Sequence, residues 1–163
     1  MDRIWSPWRM EYIESHRDDE GEGGCVFCAV LQGDSREHRV LERRDLAFVT
    51  LAKYPYNPGH LLVLPKRHVG EIEEVKPDEA AEIFELTQRS IRVLREASEP
   101  HGFNVGLNLG RVSGAGIPDH LHWHVVPRWG GDTNFMPVVA GTRVLPELLE
   151  QTYEKLAPRF RSL

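Results

Sequence analysis

Three histidines at every second position form the strongest chemical pattern in this chain. They lie in the segment 119–129 and are His120, His122 and His124. If this segment is a β-strand, alternate side chains share a face, so the three imidazoles point to one side of a sheet. The β-branched pair Val125 and Val126 favours a strand, and Pro127 suits its end because proline cannot donate to a ladder.

A row of imidazoles is compatible with two kinds of chemistry. Three histidines can hold a catalytic metal and leave one coordination position open for water. Alternatively, one imidazole attacks phosphorus while its neighbours position the substrate anion, because neutral imidazole, with an unperturbed pKa of about 6.5, is available near pH 7. A chance cluster of surface histidines fits the strict spacing least well.

The composition is that of one ordinary globular domain. The chain has 163 residues and a formal net charge of −5, and this length is sufficient to bury a hydrophobic core. The acidic excess argues against a general nucleic-acid-binding surface, so a nucleotide ligand is expected to be small. Because no apolar run resembles a membrane span or a secretion signal, we expect a cytoplasmic protein without a membrane partner.

The chain divides into a short N-terminal segment and one larger domain. Residues 1–24 contain Trp5 and Trp8, followed from Glu14 by a polar, acidic and glycine-rich run that is typical of a flexible linker. We expect a single domain over residues 25–163.

The only two cysteines, Cys25 and Cys28, form a Cys-x-x-Cys pair at the start of this domain. Such a pair is half of a structural zinc site or a redox dithiol, and no thioredoxin-like pattern surrounds this one. A zinc site would need two histidines as well, since no cysteine remains. The residues alone leave zinc open against inert, buried cysteines. They also leave the histidine ligands open among the triplet, His38, His60, His68 and His101.

The hydrophobic patterning predicts an α+β domain with five strands in a mostly antiparallel sheet, one main helix and a C-terminal helix. The predicted strands are 38–42, 46–51, 60–64, 103–109 and the histidine segment. The main helix is predicted to begin at Lys76-Pro77 and end before Pro100, and the last helix to span 145–156. A stripe at helical spacing is expected to face the core; it consists of Ala80, Ile83, Phe84, Thr87, Ile91 and Leu94.

The fourth strand and the histidine strand are predicted to form a hairpin that brings polar groups beside the imidazoles. Its alternation places Asn104, Gly106 and Asn108 on one face, which can line the same side of the sheet as the histidines. The connecting loop contains Gly114-Ala115-Gly116, where backbone N–H groups can approach a phosphate. A flexible hairpin loop explains the glycines alone, but their position directly before three imidazoles favours an anion-binding loop.

The segment His120-Leu121-His122-Trp123-His124-Val125-Val126 resembles the signature of the histidine triad (HIT) superfamily of nucleotidyl hydrolases and transferases. The resemblance extends from Cys25 to about Tyr153. Residues 54–60, 102–108 and 129–137 are similar to the bacterial branch called diadenosine tetraphosphate phosphorylase-like. The resemblance implies a HIT-like fold and a homodimer whose sheets join across the subunit interface.

The resemblance also implies an activity. His122 would attack the α-phosphorus of a nucleotide, His124 would contact the phosphate, and His60 would support the triad. Phosphate-holding positions of the family correspond to Asn108, Gly114, Ala115 and Gly116. A charged phosphate needs donors aimed at its oxygens, and asparagine amides, loop N–H groups and a protonated neighbouring histidine can supply them.

The expected reaction is cleavage of a dinucleoside polyphosphate at the α-phosphate through a nucleotidyl-histidine. Water as acceptor would give a nucleoside monophosphate, whereas inorganic phosphate would give a diphosphate. A metallohydrolase that uses all three histidines and a nucleotide-binding sensor with little turnover are the alternatives.

The resemblance further implies a ligand set for zinc. Family members with an early Cys-x-x-Cys pair bind zinc through both cysteines, a histidine in a Pro-Lys-x-His segment and the first triad histidine. In this chain those residues are Cys25, Cys28, His68 and His120. A closed site of this kind is structural and would tie the start of the domain to the catalytic strand.

Two positions depart from the family pattern. Ala52 stands eight residues before His60, where many members have an asparagine or aspartate that binds the ribose. Ile117 stands three residues before His120, where many hydrolases have a serine that assists the leaving group. We therefore expect ribose binding to be weaker or to be supplied by other groups. The Ile117 departure argues against a simple nucleoside phosphoramidase and leaves the proton donor of the leaving group unassigned.

Overall fold

The computed structural model describes residues 24–132 and 146–162. The predicted N-terminal segment, with both of its tryptophans, lies outside the described residues. In chain order the elements are α1 (Val26–Gln32), β1 (Val40–Arg43), β2 (Ala47–Leu51), β3 (Leu61–Pro65), α2 (Pro77–Ser98), β4 (Gly102–Gly106), β5 (Trp123–Arg128) and α3 (Leu149–Ser162). Short 3-10 turns lie at Ile72–Glu74 and Arg111–Ser113. Within these ranges no helix is long and apolar enough to cross a bilayer.

The strands form one five-stranded antiparallel sheet in the order β1-β2-β3-β5-β4. The predicted α+β architecture is therefore confirmed. The predicted hairpin is also confirmed, since β4 pairs with β5 in antiparallel register. The histidine strand β5 lies inside the sheet, between β3 and the edge strand β4.

Helices cover both faces of the sheet. On one face α2 and α3 bury the larger core, which includes Val49, Leu61, Val63, Leu86, Leu94, Val125 and Leu156. On the other face α1 buries a smaller cluster through Phe27, packed with Val40, Phe48, Ala52, Leu62 and Leu64. His124 lies directly opposite Leu62 in the sheet, so the histidines are on the face of the smaller cluster.

The histidine strand begins later than its sequence predicts. β5 starts at Trp123, so His120 and His122 precede the ladder. The backbone N–H of Leu121 donates instead to the carbonyl of Val69, at 2.8 Å. The chain therefore runs beside the segment that follows β3 before it enters the sheet. The strand β4 is also shorter than predicted, because it ends at Gly106.

The stripe predicted for α2 is partly wrong. Ile83 and Leu94 are buried, but Phe84 is 62% exposed. The helix instead buries the face that carries Leu86 and Val93, both with no exposed surface. The sequence contains two overlapping apolar stripes, and contact with the sheet selects between them.

The start of α2 is anchored to the segment that follows β3. One Glu79 carboxylate oxygen accepts the backbone N–H of Lys76 at 2.9 Å, and the two oxygens accept two Arg67 N–H groups at 2.8 Å each. Glu79 therefore both caps the helix and holds the residue beside His68.

We expect Glu79→Gln to destabilise the protein in a pH-dependent way. The Arg67 hydrogen bond lowers the pKa of the Glu79 carboxyl to about 2. Because the folded-state pKa is depressed, this stabilisation is complete above the unfolded pKa of about 4.3 and is lost as the pH falls toward 2. Chemical denaturation should show a loss of about 1 kcal/mol at pH 7 and a smaller difference at pH 3. An equal loss at both pH values would contradict the role of the ionised carboxylate.

Candidate functional site

The three predicted imidazoles lie close together, and α1 covers two of them. The rings of His122 and His124 are 5.1 Å apart between centroids. Phe27 of α1 contacts the rings of both His120 and His122, at 5.6 and 5.1 Å. His120 has no exposed surface and His122 is 7% exposed, so the surrounding protein determines the hydrogen bonds of both rings.

The backbone sets the proton position of His122. Its Nδ1 lies 2.9 Å from the carbonyl oxygen of His120. A carbonyl only accepts, so Nδ1 carries the proton and Nε2 keeps its lone pair. Burial lowers the pKa of His122, which favours the neutral ring at physiological pH. The result is a neutral imidazole with one nitrogen available for attack or ligation.

A second backbone group sets the proton positions of His60 and His124. The backbone N–H of Tyr56 donates to His60 Nδ1 at 3.1 Å, so His60 must carry its proton on Nε2. That nitrogen is 2.9 Å from His124 Nδ1 and donates to it. His124 therefore carries its own proton on Nε2 and is a neutral donor. The sequence predicts a positively charged histidine beside the nucleophile. The direction of these hydrogen bonds instead favours a neutral His124.

The turn that carries His60 is tied to the end of β5 by residues whose importance the sequence alone does not show. Asn57 is buried, and its amide donates to the carbonyl of Pro127 at 2.9 Å and to Asp132 at 2.8 Å. The Tyr56 ring stacks on His60 with centroids 4.9 Å apart. The Pro-Tyr-Asn-Pro-Gly composition marks a turn, but only the fold reveals its partners.

A separate cluster contains the four ligands expected for a metal. Cys25, Cys28, His68 and His120 each offer one ligand atom, and all four atoms lie within 4.8 Å of one another. Cys25 directly precedes α1 and Cys28 lies in its first turn. Two thiols and two imidazoles are the donor set of a closed structural zinc site.

The orientation of His120 fits this use. Its Nε2 donates to the carbonyl of Pro65 at 2.9 Å, and its Nδ1 faces the sulfurs of Cys25 and Cys28 at 3.3 and 3.7 Å. A second-sphere carbonyl of this kind fixes the ring and leaves the other nitrogen free to ligate. Burial and then the neighbouring Cys25 raise the pKa of the Cys28 thiol, so two thiolates side by side require a compensating cation.

The predicted phosphate-binding residues are brought together only in part. A cleft beside His124 is lined by Tyr56, Asn104, Val105, Gly106, Leu107, Asn108, Ser113, Val126 and Arg128. Asn108 and His124 therefore share one cavity, as expected. Gly114, Ala115 and Gly116 follow the 3-10 turn and are not among the residues lining this cleft.

The structure also places the remaining histidines and the two residues that depart from the family pattern, Ala52 and Ile117. His101 accepts the backbone N–H of Gly130 at 2.9 Å, and His38 packs against Gly33. Neither belongs to the cluster of two cysteines and two histidines. Ala52 is buried in the smaller core and Ile117 packs against it. Both departures therefore replace polar side chains of the family pattern with apolar contacts.

The family model for the HIT domain matches residues 34–131. The AP-4-A phosphorylase of Mycobacterium tuberculosis (strain ATCC 25618 / H37Rv) is 44% identical over 162 residues, covering 96% of this chain and 83% of that protein. Protein hit of Bacillus subtilis (strain 168) is 30% identical over 141 residues, covering 85% and 95%. The crystal structure of a Zn-bound histidine triad family protein from Mycobacterium smegmatis superposes with a TM-score of 0.69 at 27% identity, covering 85% and 94%.

We expect Gly70→Ala to disturb the entry of the chain into the histidine segment. An added Cβ would lie 3.0 to 3.2 Å from backbone atoms of Pro118 and Asp119, which cannot move as a side chain does. Thermal and chemical denaturation should show a loss of about 1 to 3 kcal/mol. Gly102→Ala is the matched control, because nothing lies within 4 Å of its added Cβ. Equal stability of both variants would show that this close approach is unimportant.

Proposed function

This chain belongs to the HIT family, and from that premise we propose that it is an enzyme that cleaves dinucleoside polyphosphates at the α-phosphate. Diadenosine tetraphosphate is the proposed representative substrate, supported by the name of the 44% identical M. tuberculosis relative. One observation carries the mechanism: the carbonyl of His120 holds the proton of His122 on Nδ1. The lone pair on Nε2 is thereby kept available for phosphorus.

The proposed reaction has two displacement steps. His122 Nε2 attacks the α-phosphorus, a P–N bond forms, and the P–O bond to the leaving polyphosphate breaks. The positive charge that develops on the imidazole is stabilised through Nδ1–H by the His120 carbonyl. Water or inorganic phosphate then attacks phosphorus, and the P–N bond breaks to restore the neutral ring. When water is the acceptor, it releases a proton to solvent.

Donors beside His122 would stabilise the phosphate oxygens during both steps. His124 presents Nε2–H because the relay from Tyr56 through His60 fixes its tautomer. Asn108, in the same cleft, offers two amide N–H groups. The His124 dipole is oriented before substrate arrives, so it needs no reorganisation during reaction.

We also propose that the cluster of Cys25, Cys28, His68 and His120 binds a structural zinc ion. When bound, the ion holds the two thiolates and fixes the ring of His120, whose carbonyl in turn orients His122. The donor set and the Pro65 contact support this assignment. A catalytic metal held by all three triad histidines has less support, because His120 Nδ1 faces the cysteines while His124 Nδ1 accepts from His60.

A homodimer joined along β4 is the proposed assembly. Among the described strands, β4 has one sheet neighbour, β5. The edge strand exposes 48% of Val105. Among the described residues β4 is an edge strand with an exposed apolar side chain, and such an edge is a template for pairing with a second copy, which would continue the sheet.

We expect His122→Ala to reduce turnover by about 10³-fold or more while the protein stays folded, because it removes the nucleophile. Chromatography of reactions with diadenosine tetraphosphate, with and without inorganic phosphate, measures the products. Phosphate-dependent ADP indicates a phosphorylase, and AMP indicates a hydrolase. His101→Ala is the matched control outside the cleft. Near-normal turnover by His122→Ala would contradict the mechanism.

Elemental analysis of the purified protein should give about one zinc per chain. Cys25→Ser should lose the metal and lower the melting temperature, because a closed structural site contributes directly to folding. His101→Ala should keep the zinc and lower the melting temperature less than Cys25→Ser does, because it loses only the hydrogen bond from Gly130 N–H. Zinc-free protein together with unchanged stability of Cys25→Ser would refute the assignment.

A nucleotide-binding sensor with little turnover is the second candidate, favoured by the apolar Ala52 at the family's ribose-binding position. It predicts nucleotide binding by calorimetry without product formation by the pure protein. Product formation that depends on His122 excludes it.

A further inference from the structure

Arg128 is the one charged side chain among the described residues that line the cleft beside His124. The other polar groups of this lining include the amides of Asn104 and Asn108 and the hydroxyl of Ser113. Arg128 and His124 are four residues apart on β5 and therefore share a face of the sheet. A cation stands in the same cavity as the phosphate donors.

The guanidinium of Arg128 is directed along the sheet toward His124. Its Nη1 donates to Asn104 Oδ1 at 2.6 Å, and Asn104 lies opposite Val126 in the β4–β5 pair. Asp132 accepts from Nε at 2.5 Å and from Nη2 at 2.9 Å. The group is thus held from two sides in a defined direction, unlike a cation on an unrestrained side chain.

This arrangement leaves Arg128 able to bind an anion. These contacts use three of its five N–H groups, and its side chain is 43% exposed. Asp132 also accepts from the Asn57 amide and from the backbone N–H of Trp129, at 2.8 and 3.2 Å. The negative charge of Asp132 is therefore shared among several donors. Asp132 does not fully neutralise Arg128, and the guanidinium can still attract an anion in the cleft.

The position of Arg128 determines which part of a substrate it can contact. Four residues of extended strand separate the Cα atoms of Arg128 and His124 by about 13 Å. His122 lies on the other side of His124, with ring centroids 5.1 Å apart. A phosphate bonded to His122 is therefore separated from Arg128 by His124, and the ligand of Arg128 must lie further along the cleft.

We propose that Arg128 is a specificity-determining residue that binds a phosphate of the leaving group, beyond the α-phosphate attacked by His122. This inference rests on the proposed function and deepens it. Arg128 would select nucleotides with a long anionic leaving group, such as the dinucleoside polyphosphates, over nucleotides with a small leaving group. Asn104 and Asp132 would act as positioning residues for the guanidinium.

The test compares two substrates in Arg128→Gln. With diadenosine tetraphosphate we expect kcat/KM to fall about 10- to 100-fold, the loss typical of a hydrogen bond to a charged group. With adenosine 5′-phosphorimidazolide, whose leaving group carries no phosphate, we expect a change of no more than about twofold. Arg128→Lys should recover part of the tetraphosphate activity, because lysine keeps the charge but cannot hold both Asn104 and Asp132.

Two controls separate this role from a general effect of charge or folding. Arg92→Gln removes the same charge from the exposed side of α2 and should leave both substrates unchanged. Inorganic triphosphate, a probe without any nucleoside, should inhibit wild type and Arg92→Gln equally and Arg128→Gln about tenfold more weakly. This inhibition measures anion binding by Arg128 independently of the assay with adenosine 5′-phosphorimidazolide.

The outcomes distinguish the possible roles of the residue. An equal loss with both substrates would make Arg128 structural and would overturn the proposal, as would no loss with either. A rise confined to the KM for inorganic phosphate would assign Arg128 to the acceptor and would also overturn it. Absence of His122-dependent turnover of diadenosine tetraphosphate by wild type would refute the proposed function itself.

Discussion

The hydrogen bond between His122 Nδ1–H and the carbonyl of His120 is the interaction on which the candidate site depends. It determines which nitrogen of His122 keeps a lone pair, and it does so with a backbone group that cannot change its role. The residue supplying that carbonyl is itself held by its ring, since His120 donates to Pro65 and faces the cysteine pair. One residue thus joins the cluster of two cysteines and two histidines, the end of β3 and the proposed nucleophile.

The same principle recurs on the other side of the triad. A backbone N–H from Tyr56 sets the tautomer of His60, which sets that of His124. Buried imidazoles are costly unless their nitrogens are hydrogen-bonded. Here the partners that reduce this cost also give the rings complementary roles, with a lone pair on His122 and an N–H on His124.

The surroundings explain why these contacts hold. Asn57 and Asp132 connect the turn of His60 to the end of β5, and Phe27 of α1 covers the rings of His120 and His122. Because α1 begins at the cysteine pair, a metal bound there would fix this cover. The same residues therefore stabilise the fold and hold the histidines in position.

Much of the fold follows from local patterns. Alternation along the histidine segment and along β4 predicts their antiparallel pairing, and proline with acidic residues predicts the start of α2. These features are readable because strand and helix periodicities are properties of consecutive residues. The same period of two predicts a shared face for the three histidines, although His120 and His122 precede the ladder of β5.

Other features were decided only by the tertiary structure. The choice of Leu86 and Val93 over Phe84 for the buried face of α2 came from contact with the sheet. The cluster of two cysteines and two histidines joins residues up to 95 positions apart, and Asn57 contacts Asp132 across 75 positions. From the residues alone the partners of the cysteines stayed open, and the family resemblance supplied them. What the sequence by itself determined was the set of chemical groups and the local elements that carry them. Their distant partners and directions came from long-range hydrogen bonds and burial, which no local period encodes. The tautomers of His122 and His60 are set by backbone groups only two and four residues away, but the folded turns that place those groups are a product of the tertiary structure.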